Sequence, residues 1–175
     1  MRPIKGICAA MAVGVLILSA LAAGTPGTAT AEEGLFETKS LTPAAALKAA
    51  QAALKKCQDD GYQAAVAVVD RSGIVQVVLR DRFAGAHTPE TARRKAWTAV
   101  SFRTNTTALA EVTQAGKPQF GVRHVADALM IGGGLMIDAG GSLVAGIGVS
   151  GAPGGHLDDI CAQAGIDAID DLIAF

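Results

Sequence analysis

Apolar residues first recur at helical spacing after Thr42. Leu47, Ala50, Leu54 and Cys57 form one stripe, Thr42-Pro43 supplies an N-cap and a first-turn proline, and Gly61 ends the run. Ala64 to Val69 is a short valine-rich strand. Asp70-Arg71-Ser72-Gly73 is a turn signal, and Ile74 to Leu79 is the return strand of a hairpin. Arg80 to His87 reads as a loop with Gly85 at its centre. Thr88-Pro89-Glu90 then opens a helix, with Thr88 as its cap and Ala92, Ala96, Ala99 and Val100 on one face. A further helical stretch is expected from Thr106 to Thr113. Leu129–Ile131, Leu135–Ile137 and Ser142–Val149 read as strands, the last two joined by Asp138-Ala139-Gly140-Gly141. A last helix is expected from Leu157 onward, with Leu157, Ile160, Ala164, Ile169, Leu172 and Ile173 inward. Hairpins with segregated helices predict an α+β fold, a single domain with helices flanking an antiparallel sheet.

The beginning of the chain has a different pattern. Arg2 and Lys5 precede an apolar run from Gly6 to Ala23, and Ala29-Thr30-Ala31 is a small-x-small exit. Residues 1–31 are therefore expected to be a cleaved secretory signal peptide, with an uncleaved membrane anchor as the alternative. Residues 32–40 read as a flexible lead-in and 41–175 as the domain. Cleavage predicts a periplasmic or secreted protein. The remaining 144 residues carry 13 Lys and Arg against 16 Asp and Glu, with no basic stripe, so no nucleic-acid partner is expected. Two cysteines remain, Cys57 and Cys161. They are either a disulfide of the exported protein or two buried thiols.

Ten of the 21 glycines fall between Gly132 and Gly155. Glycine serves where φ is positive or another group approaches the backbone closely. The stretch is not a phosphate loop, because no Gly-Lys-[Ser/Thr] follows. Ser150 is not in a nucleophile elbow, because Gly148-Val149-Ser150-Gly151 has the wrong spacing. Ser150 and Gly151 open a loop whose free amides, with the helix start at His156, could take a carboxylate or phosphate. Asp158 and Asp159 compete for the same positive potential, so simple capping is the other reading.

Three segments carry a resemblance to a known family. Thr91-Ala92-Arg93-Arg94-Lys95-Ala96-Trp97-Thr98-Ala99 resembles the Ala-x-x-Lys-Ala-x-Thr-Ala helix of the GlcG/HbpS-like family. Gly132-Gly133-Gly134-Leu135-Met136-Ile137 is similar to its Gly-Gly-x-Pro-Ile hairpin, with Met136 in place of the proline. Val144 to Ala152 is similar to its Gly-Ala-x-Gly-Val-Ser-Gly strand and loop. The resemblance spans residues 41–173. It implies a five-stranded antiparallel sheet flanked by helices, homo-oligomers and, for some members, haem as ligand. It also implies exported sensors or carriers working beside a sensor kinase, and modules that accompany corrinoid-processing enzymes.

Haem needs an axial ligand, apolar walls and partners for its propionates. Covalent c-type attachment is excluded, since Cys-x-x-Cys-His is absent. His87 is the candidate iron ligand, against the alternative of a plain surface histidine. Thr88 is a weak candidate beside it, and His124 a second one if the chain folds it towards His87. Arg94 or Lys95 could pair a propionate, and Trp97 and Phe102 are candidate walls. Haem capture or sensing at His87 is the expected function. A binding module for an organic acid or corrinoid-like molecule, and a small haem-degrading enzyme, are the alternatives. Paired carboxylates and a nucleophile–base motif are both missing, which weighs against an enzyme.

Overall fold

The computed structural model describes residues 34–174, and residues from Glu37 onward form one compact unit. The signal peptide expected at 1–31 lies outside the described residues. Among those described, no helix is long and apolar enough to cross a membrane.

The first helix, α1, runs Pro43–Asp59, and the Thr42 side chain accepts from the Ala45 amide at 3.3 Å. Two hairpin strands follow, β1 (Ala65–Asp70) and β2 (Val75–Arg80), then α2 (Thr88–Phe102) and α3 (Thr106–Val112). A 3-10 turn at Phe120–His124 leads to β3 (Gly134–Ala139) and β4 (Ser142–Ser150). The chain finishes with α4 (Gly155–Asp167) and the short α5 (Asp170–Ile173).

The sheet has four strands in the order β2-β1-β4-β3, all neighbours antiparallel. This corrects the five-stranded expectation. Leu129–Ile131 forms no strand and joins no ladder. The Leu129 amide donates to Thr98 Oγ1 at 2.9 Å, and the Ile131 amide turns back to the Leu129 carbonyl. Side chains guard the outer edge of β3 instead. The Gly134 amide donates to Thr106 Oγ1 at 2.8 Å and the Met136 amide to Asn105 Oδ1 at 3.0 Å. An edge whose amides are satisfied in this way offers less to another strand. Proline at 136 has no N–H to give, so methionine there adds the Asn105 bond.

One sheet face meets α1 and α4 through Val66, Val68, Ile137, Ile147 and Val149. The buried side of α1 is Ala45, Ala46, Ala49, Ala50, Ala53 and Cys57; Leu47, expected inward, is exposed. The face that α1 does bury lies close to α4. A Cβ on Gly165 would lie 2.7 Å from the Ala49 carbonyl, which leaves room for alanine and none for leucine. A disulfide between Cys57 and Cys161 joins the same two helices, with Cα atoms 5.4 Å apart. That resolves the alternative left open for the two cysteines. The last helix is broken into α4 and α5, and its expected inward residues Ile160 and Leu172 are exposed.

The other face carries α2 almost on the strand backbone. Ala65, Ala67 and Val69 face Ala92, Ala96 and Val100. A Cβ on Gly148 would stand 2.1 Å from the Ala92 carbonyl, and one on Gly134 would stand 2.4 Å from the Lys95 carbonyl. Both distances are inside hard-sphere contact, so the glycines permit this approach.

Candidate functional site

Each end of α2 and its middle hold different chemistry. At the start, two short turns shape the loop: the Ala84 amide donates to the Asp81 carbonyl, and the Thr88 amide to the Gly85 carbonyl at 3.0 Å. His87 sits at the position preceding the helix and is exposed. Its ring lies over Gly85. Cε1 and Nδ1 are 2.7 and 2.9 Å from where a Gly85 Cβ would stand, and Nε2 is farther, at 3.7 Å. Thr88 is buried and donates its hydroxyl to the Gly85 carbonyl at 2.8 Å. It is therefore the first residue of the helix and a brace for the loop, which corrects its expected role as cap and weak ligand. Arg82 lies over the Phe83 ring at 5.7 Å, and Phe83 is 78% exposed.

Arg93 and Arg94 fasten the segment that follows the 3-10 turn. Arg93 pairs with Glu90 and with Asp127, each at 2.6 Å. Arg94 donates to the Asp127 carbonyl at 3.3 Å and the Ala128 carbonyl at 2.9 Å. Its guanidinium is committed to the backbone of that segment. Trp97 and Phe102 pack against Leu109, Ala128 and Met130 and are not free walls. His124 is exposed and stands edge-on to Phe120, with ring centroids 5.6 Å apart.

Lys95 is 2% exposed, which removes it from the expected propionate site. Its ammonium donates to the Val149 carbonyl and to Asp158 Oδ2, both at 2.8 Å. Asp158, also buried, accepts the Ala152 amide on its other oxygen at 3.0 Å. Burial pushes the Asp158 carboxyl above its usual range, while Lys95 and the Ala152 and Gly151 amides oppose that. Gly133 closes the pair. A Cβ there would lie 2.8 Å from the Lys95 ammonium and 2.6 Å from the Val149 carbonyl.

The glycine loop is thus occupied from within. Ala152 gives its amide to Asp158, and Asp159 accepts from the Gly133 amide at 2.6 Å and from the Thr107 hydroxyl. Ser150 is buried at the end of β4, paired with Ala65. Neither acid caps α4, whose N-cap Gly154 has no side-chain partner; Asp158 and Asp159 instead tie the helix to the Ala152 turn, Gly133 and Thr107. Sequence reasoning missed the Lys95–Asp158 pair although a signal existed: Ala92, Lys95, Ala96 and Ala99 share one helical stripe, so Lys95 stood on the buried face. It also missed Phe83, a lone aromatic in a charged loop.

These features define a small single-domain α+β protein with one chemically equipped loop at the helix start. The chain belongs to the HbpS-like family: the family model described as haem degrading protein HbpS-like matches residues 41–167. The chain is similar to a double mutant of HbpS from Streptomyces reticuli, at 42% identity and a TM-score of 0.72, covering 77% of this chain and 90% of that one. It is similar to the crystal structure of a PduOC–haem complex, at 31% identity and a TM-score of 0.71, covering 75% of this chain and 96% of that one. It is also 34% identical over 121 residues to the corrinoid adenosyltransferase PduO of Salmonella typhimurium strain LT2. That match covers 68% of this chain, but the chain spans only 36% of the relative's length.

Proposed function

We propose that this chain is an exported haem-binding protein that takes haem reversibly at the loop before α2. The observation that carries the reading is His87 itself. It is exposed, no hydrogen bond of its ring is found among the described residues, and Nε2 is the ring nitrogen farther from Gly85. The donor set of this loop fits the group: an imidazole for iron, the exposed Phe83 ring for the macrocycle and Arg82 for a propionate. Haem would supply iron-centred redox and ligand chemistry. The protein would hold it on one histidine and a shallow apolar surface, which suits release as well as capture. Similarity to a protein crystallised with haem supports the ligand. The Cys57–Cys161 disulfide supports export, since such bonds persist in oxidising compartments. The exposed apolar edge of Ile74, Val75 and Val78 supports self-association, and a sensor kinase is the partner expected of the exported form.

Haemin added to the purified protein should give a saturable shift of the Soret band. His87→Ala should weaken binding at least tenfold, about 1.4 kcal/mol, without changing the melting temperature by more than a degree or two. A spectrum that stays that of free haemin at stoichiometric protein sinks the reading.

The family description favours a second reading, haem degradation. Bound haem should then disappear with reductant and oxygen, and catalase should not prevent the loss.

A further inference from the structure

The two rings of the loop before α2 stand on either side of one buried residue. Arg82, Phe83, Gly85, Ala86 and His87 are exposed, whereas Ala84 between them is 3% exposed. Both backbone groups of Ala84 are also taken. Its amide donates to the Asp81 carbonyl at 3.1 Å, and its carbonyl accepts from the Arg80 guanidinium. Ala84 is thus a pin. Before it the chain carries Phe83 outward. After it the Gly85 carbonyl, held by the Thr88 hydroxyl and amide, turns the chain to His87.

The foot of the loop is tied as well. The Asp81 amide donates to the Ala64 carbonyl at 3.0 Å. One Asp81 carboxylate oxygen accepts the Ala64 amide at 3.3 Å, and the other accepts the Gln58 side-chain amide from the last turn of α1. Arg80 and Asp81 carry opposite charges, yet neither enters a salt bridge among the described residues. Each spends its side chain on closing the loop. A ligand that meets a loop already closed is spared the cost of ordering it.

We infer that Arg80 and Asp81 are positioning residues for this loop. With Ala84 they fix the spacing of the Phe83 ring and the His87 imidazole, and they act on haem through that spacing alone. The inference rests on haem binding at His87 as proposed above.

The opposite charges make the test decisive. Haemin is titrated into wild type, Arg80→Met, Arg80→Lys and Asp81→Asn while the Soret band is followed. Arg80→Met and Asp81→Asn should each weaken binding about tenfold, and broaden the band as the iron–imidazole geometry becomes mixed. Arg80→Lys keeps a donor for the Ala84 carbonyl and should stay within about threefold of wild type. Charge acting directly on the propionates gives another pattern: losing the cation weakens binding and losing the anion strengthens it. The inference is therefore overturned if Asp81→Asn binds haemin as tightly as wild type or more tightly. It is equally overturned if the Arg80→Met loss vanishes with haemin dimethyl ester, which marks a propionate contact.

A second measurement needs no haem. Phe83 is 78% exposed, and chymotrypsin cuts after it at a rate that follows the open population of the loop. Cleavage of the haem-free protein should be about tenfold faster in Arg80→Met and Asp81→Asn than in wild type. Equal rates overturn the inference and leave the His87 reading standing. A wild type that binds no haemin overturns both, and faster cleavage of the variants then means that the closed loop serves the fold alone. Circular dichroism and an intact disulfide confirm that the variants are folded.

Discussion

Lys95→Met is expected to lower stability by about 3–5 kcal/mol, because it strips a buried carboxylate of its counter-ion. Both partners are almost sealed from solvent, and the ammonium bridges β4 to the first turn of α4. Asp158→Leu should cost a similar amount by leaving the ammonium buried and unpaired. The double variant Lys95→Met/Asp158→Leu should recover part of the loss, since a buried pair replaced by apolar residues is often near neutral. Full recovery is not expected. Asp158 also holds the Ala152 amide, and orphaning a buried donor costs about 1–3 kcal/mol. Urea unfolding of the four species gives the coupling energy directly. A Lys95→Met loss below about 1 kcal/mol would contradict the buried-pair account.

The pH dependence of the pair has a definite sign. Burial raises the Asp158 carboxyl in the folded state, so the fold binds that proton more tightly than the unfolded chain does. The stabilisation from this group is then complete below the ordinary carboxylate range and is lost as pH rises through the raised value. Wild type should therefore gain stability relative to Asp158→Asn as pH falls from about 7 to about 4. A gap that closes on acidification would mean that Lys95 outweighs burial.

The second large effect concerns the disulfide. Cys57 and Cys161 are 104 residues apart, so their bond restricts a long loop of the unfolded chain. Replacing both by alanine is expected to cost about 2–5 kcal/mol, about 10 °C in melting temperature for a domain of this size. A reductant should produce a comparable drop in wild type and none in the double-alanine variant. Thiol labelling that finds Cys57 and Cys161 free in the native protein would rule the bond out. The effect bears on function through location: a fold that depends on this bond is best suited to an oxidising compartment.

Much of the architecture could be read locally. The Thr42-Pro43 and Thr88-Pro89 starts, the Asp70–Gly73 turn and the Gly140-Gly141 hairpin each declare themselves within a few residues, because caps and turns are short-range chemistry. Three other features could not be read that way. Leu129–Ile131 has strand composition, yet Thr98 and its own backbone take its amides, and Asn105 and Thr106 guard the edge it would have joined. Leu47 and Ile160 fit a helical stripe but turn outward, and the faces that α1 and α4 bury carry small residues instead, Ala49 and Ala53 against Gly165. Arg94 and Lys95 looked like cations for a ligand, and their partners lie 33 to 63 residues away.

The glycines between Gly132 and Gly155 divide along the same line. Their density in the sequence already required close approach or positive φ. Which group approaches was decided only by tertiary structure: the α2 backbone over Gly134 and Gly148, and the Lys95–Asp158 pair beside Gly133. By itself, then, the sequence determined the helices, the two hairpins, the α+β class and the family motifs, all of them set by neighbours in the chain. The four-strand limit, the disulfide and the internal use of both acids after His156 belong to the folded molecule alone. Each depends on groups far apart in sequence competing for the same hydrogen bonds and space, and local pattern carries no record of that competition.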